Sequence, residues 1–327
     1  MLSEVGSATV TERVVYCNPV FDRYLADPFV FRFNDVYFAV GTRRLEAGVF
    51  PILRSTDLAH WEEIGTALDP PSPTLGTDYW APEIAYEDGR FYMYYSVGFR
   101  DVGHRLRVAT SNLPQGPYVD SGIDLLDPKQ VGFAIDASPF RDVDGAWYLF
   151  YARDFLTSEG NGRPGTALVV DRLKSMTELA GEERVVLRAT RDWQRFMRGR
   201  DIYGGLYDWH CLEGPCAIRH DGRYYCFYSG GRWENETYGV DYAVADSMAG
   251  PWHGGDSELP RVLRTVPGRL IGPGHNSVVK GPDGESDFIV YHAWDAAMTA
   301  RRMCIDKIVW TPDGPRCTGP TWAPQTL

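Results

Sequence analysis

"CLEGPCAIRHDGRYYCFYS", residues 211–229, opens on an acid, turns through Gly214-Pro215 and runs apolar. It then breaks at Asp221-Gly222 before a second run thick with tyrosine. Asp-Gly between two β-prone runs reads as a hairpin, because glycine accepts the positive φ of a tight turn without a steric penalty. Glu213 is the residue out of place. An ionised carboxylate at the entrance of an apolar strand gives up hydration for no evident gain.

The stretch has relatives in the same chain. "ADPFVFRFNDVYFAVGT" (26–42), "APEIAYEDGRFYMYYSVG" (81–98), "DASPFRDVDGAWYLFYAR" (136–153) and, more weakly, "GHNSVVKGPDGESDFIVYHAWD" (274–295) repeat its design. Each is a short apolar strand, a turn rich in Asn, Asp or Gly, and an aromatic strand. Pro28, Pro82, Pro139 and Pro215 head the first four, where a missing N–H costs a strand little, and Ser277 heads the last. A further pairable segment follows each hairpin, so the chain divides into five units of three or four strands. Repeats of this length without a helical period predict an all-β, five-bladed β-propeller with a central channel, one domain over 1–327. A two-sheet sandwich would also produce many short strands.

The bulk properties agree with an enzyme-sized globular chain. Of 327 residues, 44% are apolar and 13% aromatic, enough for a substantial core. A net charge of −11 argues against nucleic-acid or anionic-membrane partners, which need a basic face. No run of 18 apolar residues occurs. Residues 1–16 lack a basic, then apolar, secretory leader, and with six scattered cysteines this implies the cytoplasm. His210, Cys211, Cys216 and Cys226 lack a Cys-x2-Cys pair, so they read as buried thiols rather than a zinc site.

An acid or imidazole stands within three residues of every unit's head: Asp27, Glu83, Asp136, Glu213 and His275. If the first strand of each unit lines the channel, these side chains gather at one end of it. Ala26-Asp27-Pro28, Trp80-Ala81-Pro82-Glu83, Ile135-Asp136-Ala137-Ser138-Pro139, Glu213-Gly214-Pro215 and Gly274-His275-Asn276-Ser277 together resemble glycoside hydrolase family 43. The resemblance runs from about residue 16 to about 312. The related sucrose-cleaving clan would carry Arg-Asp-Pro in the third blade, where this chain has Ile-Asp-Ala.

The resemblance implies a propeller that hydrolyses glycosidic bonds with inversion, with Asp27 as general base, Glu213 as general acid and Asp136 as modulator of the acid. Chemistry asks for the same division. An inverting hydrolase needs one protonated carboxyl for the leaving oxygen and one ionised carboxylate to activate water, about 6.5–9.5 Å apart. A third acid that stays ionised would raise the pKa of the first by repulsion. Trp80 is a candidate floor for the sugar. Arg301, rather than Arg302, is the candidate sugar-binding arginine, although a one-residue slip would exchange them. His275 is a candidate for sugar contact or for holding a water-rich Ca²⁺. Glu83 reads as a hydrogen-bonded channel residue. The longest connection, 189–211, with Tyr203, Tyr207 and Trp209, reads as a wall closing one end of the cleft.

The resulting expectation is an exo-acting α-L-arabinofuranosidase taking oligosaccharides. β-Xylosidase, galactofuranosidase and endo-arabinanase activities stay open, as does a non-catalytic carbohydrate-binding propeller, which would have no reason to keep all three acids. Oligomeric state is not legible.

Overall fold

The computed structural model describes residues 14–45 and 48–327. Antiparallel sheets dominate, and among the described residues the helical content is two short 3-10 turns, Glu159–Asn161 and Asp192–Gln194. The leader reading of residues 1–16 falls mostly outside the described residues.

Sheets follow one another along the chain. Their innermost strands are Ala26–Phe33, Asp78–Glu87, Ala134–Arg141, Leu212–His220 and Leu270–Lys280. Each packs beside the next, and the last packs beside the first, closing a ring. The aromatic runs of the second strands explain why the sheets stand face to face. Neighbouring residues on a strand point to opposite faces. Tyr94 therefore enters the gap toward the third sheet while Tyr95 enters the gap toward the first. Phe150 and Tyr151, Phe227 and Tyr228, and Val290 and Tyr291 divide in the same way. A strand buried on both faces has no polar face to present, so its sequence runs apolar instead of alternating. The buried phenols keep partners: Tyr94 Oη donates to Met176 O at 2.8 Å, Tyr151 Oη to Glu183 Oε2 at 2.6 Å and Tyr291 Oη to Asp306 Oδ2 at 2.8 Å. Without them, each would cost about 1–3 kcal/mol.

The propeller arrangement is present, but the expected count of five blades needs correction, since among the described residues four sheets have a full blade's complement of strands. Four sheets carry four or more strands, whereas the unit at Leu212–His220, Arg223–Gly230 and Gly239–Ala245 stops at three. The chain beyond it, "GPWHGGDSELPRVL" (250–263), touches the third strand only through single bridges, Val244 with His253 and Val240 with Leu263. Two prolines and three glycines leave that segment unable to sustain a ladder. The ring is fastened by the chain ends, where Val15–Tyr16 pairs with Gln325–Thr326. Asn18 also exchanges hydrogen bonds with the backbone of Ile305, at 2.7 and 2.8 Å.

Candidate active site

Each innermost strand carries a bulge, and at each bulge one residue adopts a left-handed backbone: Asp27 (φ 51°), Ala81 (47°), Asp136 (60°), Gly214 (56°) and His275 (48°). Asp and His are among the non-glycine residues that tolerate this region best. Matched on the kink, the residues after it are Pro28, Pro82, Ala137, Pro215 and Asn276. Pro139 and Ser277, which the repeat suggested as equivalents of Pro28, therefore lie further along their strands. The kink breaks the regular alternation and frees a backbone N–H. In four of the five sheets a side chain of the preceding sheet captures it. Ala81 N donates to Thr42 Oγ1 at 2.8 Å, Gly214 N to Asp136 Oδ2 at 2.9 Å, His275 N to Ser229 Oγ at 2.7 Å and Asp27 N to His292 Nδ1 at 3.0 Å.

Asp27, Trp80, Asp136, Glu213, His275 and Arg301 all line one cavity of about 470 Å³. Arg302 does not; it faces outward to Asp295 and to the carbonyl of Asp22. Glu83 also lies off the cavity. It is buried and hydrogen-bonded to Ser138, and burial pushes it up to about 8. Trp80 stacks on His104, ring centroids 3.7 Å apart. The connection at 189–211 is a hairpin, Arg195–Ile202 with Gly205–His210, joined to the third sheet where His210 pairs with Gly165. Its Phe196 walls the cavity; Trp209 is buried behind, and Tyr203 is half exposed.

The electrostatics set the acids apart. Burial would raise Asp27, but the positive charges of His275, Nδ1 at 3.4 Å, and Arg301, Nη1 at 3.6 Å, outweigh it and hold the carboxyl well below the usual range. Asp136 moves the other way, to about 7, through burial and the like charges of Glu213 and Asp27 against the pull of His275. The sequence reading had Asp136 ionised. The difference follows from depth, since Asp136 is 5% exposed while Glu213 reaches partly into the open cleft. Glu213 Oε1 accepts from Tyr238 Oη at 2.6 Å and Oε2 from Cys211 Sγ at 3.1 Å. Gly274 makes room for that tyrosine, because a Cβ there would stand 2.1 Å from the ring.

Sequence reasoning missed Tyr24, Thr42, Trp233, Tyr238 and His292. Tyr24 Oη accepts from Arg301 Nη2 at 2.7 Å, and Trp233 lies under the same guanidinium at 4.4 Å. Of these only His292 carried a signal, an imidazole inside the apolar run "FIVYHAW". It is fully buried, and burial lowers it to about 4. With Nδ1 accepting from Asp27, its proton sits on Nε2, which is buried and has no protein partner.

A Ca²⁺ at His275, as the sequence suggested, would be held chiefly by water. Among the described residues no group of three or more His, Cys, Asp or Glu is placed to hold a metal. His275 lies between Asp27 and Asp136 and, although burial opposes it, those carboxylates raise its pKa. The six cysteines are all free thiols, four of them buried.

Comparison with known proteins converges on one family. A family model described as Glycosyl hydrolases family 43 matches residues 16–315. An Aspergillus niger protein named Beta-D-galactofuranosidase xynD is 30% identical over 326 residues, covering 94% of this chain and 86% of that one. A Streptomyces avermitilis protein named extracellular exo-alpha-(1->5)-L-arabinofuranosidase is 25% identical, over 94% of this chain and 64% of its own. A solved thermostable family-43 glycoside hydrolase superposes with a TM-score of 0.81 at 31% identity, covering 95% and 98% of the two chains. The expected cytoplasmic location does not stand: that Streptomyces avermitilis protein and two further relatives are named as extracellular. With its acids gathered in one cleft and the match spanning nearly its whole length, the chain belongs to glycosyl hydrolase family 43 and is a glycoside hydrolase.

Proposed function

We propose that the protein is an inverting, exo-acting furanosidase that removes terminal α-L-arabinofuranose from oligosaccharides, and that the three-stranded sheet counts as its fifth blade. The observation that carries the proposal is the opposed treatment of two carboxyls facing one cleft. Asp27 is held ionised by His275 and Arg301, as a base that activates water must be. Glu213 enters from the fourth sheet, not adjacent to the first, so base and acid approach the sugar from different blades. Asp136, bonded to the N–H that follows Glu213, forms with it a pair that holds a proton near neutrality. That proton goes to the leaving oxygen as water attacks the anomeric carbon. Trp80 and Arg301 bind the ring, and His275 supplies the positive charge at the channel without a metal.

Phe196 on one side and Trp233 on another confine the cleft, which favours one terminal sugar over a chain running through. A second reading, release of terminal galactofuranose, is supported by the 30% identity to a protein of that name. A panel of nitrophenyl arabinofuranoside, galactofuranoside and xyloside, with NMR detection of the anomer first released, tests both. Retention of configuration would overturn the inverting assignment, and xyloside as the best substrate would overturn the furanosidase one.

A further inference from the structure

The acid is held at both of its oxygens by its own sheet. Tyr238 Oη donates to Glu213 Oε1 at 2.6 Å, and Cys211 Sγ donates to Oε2 at 3.1 Å. The two donors are unequal. A thiol is a weak donor, and this one itself accepts from Thr166 Oγ1 at 3.3 Å, whereas a phenol is a strong one. Their places differ too. Cys211 lines, with Glu213 and Asp154, a small alcove of about 90 Å³ beside the main cleft, and Tyr238 lines neither space. Oε1 is therefore turned into the protein and Oε2 toward the substrate.

Tyr238 cannot turn away. It immediately precedes the third strand of its sheet, Gly239–Ala245, and is 1% exposed. Its ring lies nearly parallel to that of His292, with centroids 5.9 Å apart and planes at 9°, in the space that Gly274 leaves open. Burial, then the charge of Glu213, pushes the phenol well above its ordinary range, so it remains a donor at every working pH. The other ionisable groups around the acid are Asp136 from the third sheet and His275 from the fifth, while Asp27 and Arg301 act on the phenol.

We infer that Tyr238 is a positioning residue for the general acid, holding Oε1 as a fixed acceptor so that the proton to be transferred sits on Oε2. The inference rests on the glycosidase reading above. As the glycosidic C–O bond breaks, that proton passes from Oε2 to the departing oxygen, and the water that Asp27 deprotonates bonds to the anomeric carbon. Glu213 is left a carboxylate. The Tyr238 bond then reaches a charged acceptor and becomes roughly twice as strong. An interaction that strengthens on the way to the transition state raises kcat rather than lowering KM.

Tyr238→Phe tests this, because it removes the phenol oxygen and keeps the ring against His292. On a furanosyl disaccharide kcat should fall roughly 5- to 30-fold with KM little changed, the loss expected of one hydrogen bond that gains charge during the reaction. A dinitrophenyl furanoside, whose leaving group departs without a proton, should stay within about twofold. A donor to a carboxylate favours the ionised form, so its loss should also move the alkaline limb of kcat/KM toward alkali by about one pH unit. Site-specific 3-fluorotyrosine at position 238, similar in size and a stronger donor, should move that limb toward acid, and it carries the test if the phenylalanine variant melts early. Equal losses on both substrates with an unmoved limb would make Tyr238 merely structural, and a loss confined to KM would make it a binding residue; either result overturns the inference. A wild type inert toward every furanoside would instead sink the glycosidase reading, and this inference with it.

Discussion

Replacing Asp136 by Asn removes one charge from the centre of the site while preserving its outline. Asp136 Oδ2 accepts the Gly214 N–H at 2.9 Å, and a carboxamide turned to present its oxygen keeps that bond. Burial, then repulsion from Glu213 and Asp27, lifts the carboxyl from 3.8 to about 7 against the attraction of His275. In this site the last proton belongs to the Asp136–Glu213 pair rather than to either member. Below about 7 the pair is singly protonated and can serve the leaving oxygen; above it the proton is lost. The pair thus sets the alkaline limb of kcat/KM, whereas Asp27, ionised far below neutrality, leaves the neutral range alone.

Without the second charge nothing holds the proton on the pair, so the limb should move toward acid by about one to three pH units, each worth about 1.4 kcal/mol. About three units would be the whole elevation of Asp136, of which burial is the largest cause, so repulsion alone points to the smaller end. The assay is a pH profile of kcat/KM on nitrophenyl and dinitrophenyl furanosides. The shift should be clearest on the poorer leaving group, which depends more on protonation. A folded Asp136→Asn protein with an unmoved alkaline limb would refute the coupling. Movement toward alkali would show that Asp136 works by holding the acid ionised.

Glu213→Gln should cost roughly 10²- to 10⁴-fold on a disaccharide and far less on dinitrophenyl furanosides, while Asp27→Asn should harm both alike; the ratio of kcat/KM on the two substrates decides, and equal losses for Glu213→Gln would remove it from the acid role. Exhaustive chelation should change neither activity nor melting temperature, because His275 serves as a cation; a loss restored by Ca²⁺ would give His275 a metal. Glu83 holds its proton to about 8 when folded and releases it near 4.5 when unfolded, so wild-type stability should fall as pH rises through that window, by up to about 1.4 kcal/mol per unit. Glu83→Gln should flatten that slope in melting experiments from pH 5 to 8; an unchanged slope would mean that Glu83 is ionised in the folded state.

The repeat was legible because its causes are local. Turn residues, strand-heading prolines and aromatic second strands each announce themselves within a few positions. The short fourth sheet was legible in principle, since two prolines and three glycines between 250 and 263 argue against an outer strand. The bulges were not legible. Asp27, Ala81, Asp136, Gly214 and His275 share a backbone conformation but no residue type, so alignment on proline placed the third and fifth units out of step. The acids stood out because their type conflicts with an apolar strand. Tyr238, Trp233 and Asp154 sit in segments where an aromatic or an acid is unremarkable, and only the pairing of the fourth sheet and its packing on the third bring them to Glu213. Depth was not legible for a related reason, because a sequence shows which acids meet but not how deeply each is buried.

The kinks also explain why a propeller can hold polar chemistry at the core of an apolar ring. A regular innermost strand sends its side chains alternately into the two neighbouring gaps, and both gaps are filled with aromatic and aliphatic groups. A carboxylate there would be desolvated with no partner. The left-handed residue breaks the alternation, and Asp27, Asp136 and His275 reach the shared cleft instead. The freed N–H is not wasted, since the preceding sheet supplies its acceptor: Thr42 from the first, Asp136 from the third, Ser229 from the fourth and His292 from the fifth. Each acceptor thereby fixes the backbone under a residue of the site, and one of the four, Asp136, also acts on the charges there. The base is positioned by the last sheet of the chain and the acid by the third, so the geometry of the two carboxyls exists only once the ring has closed.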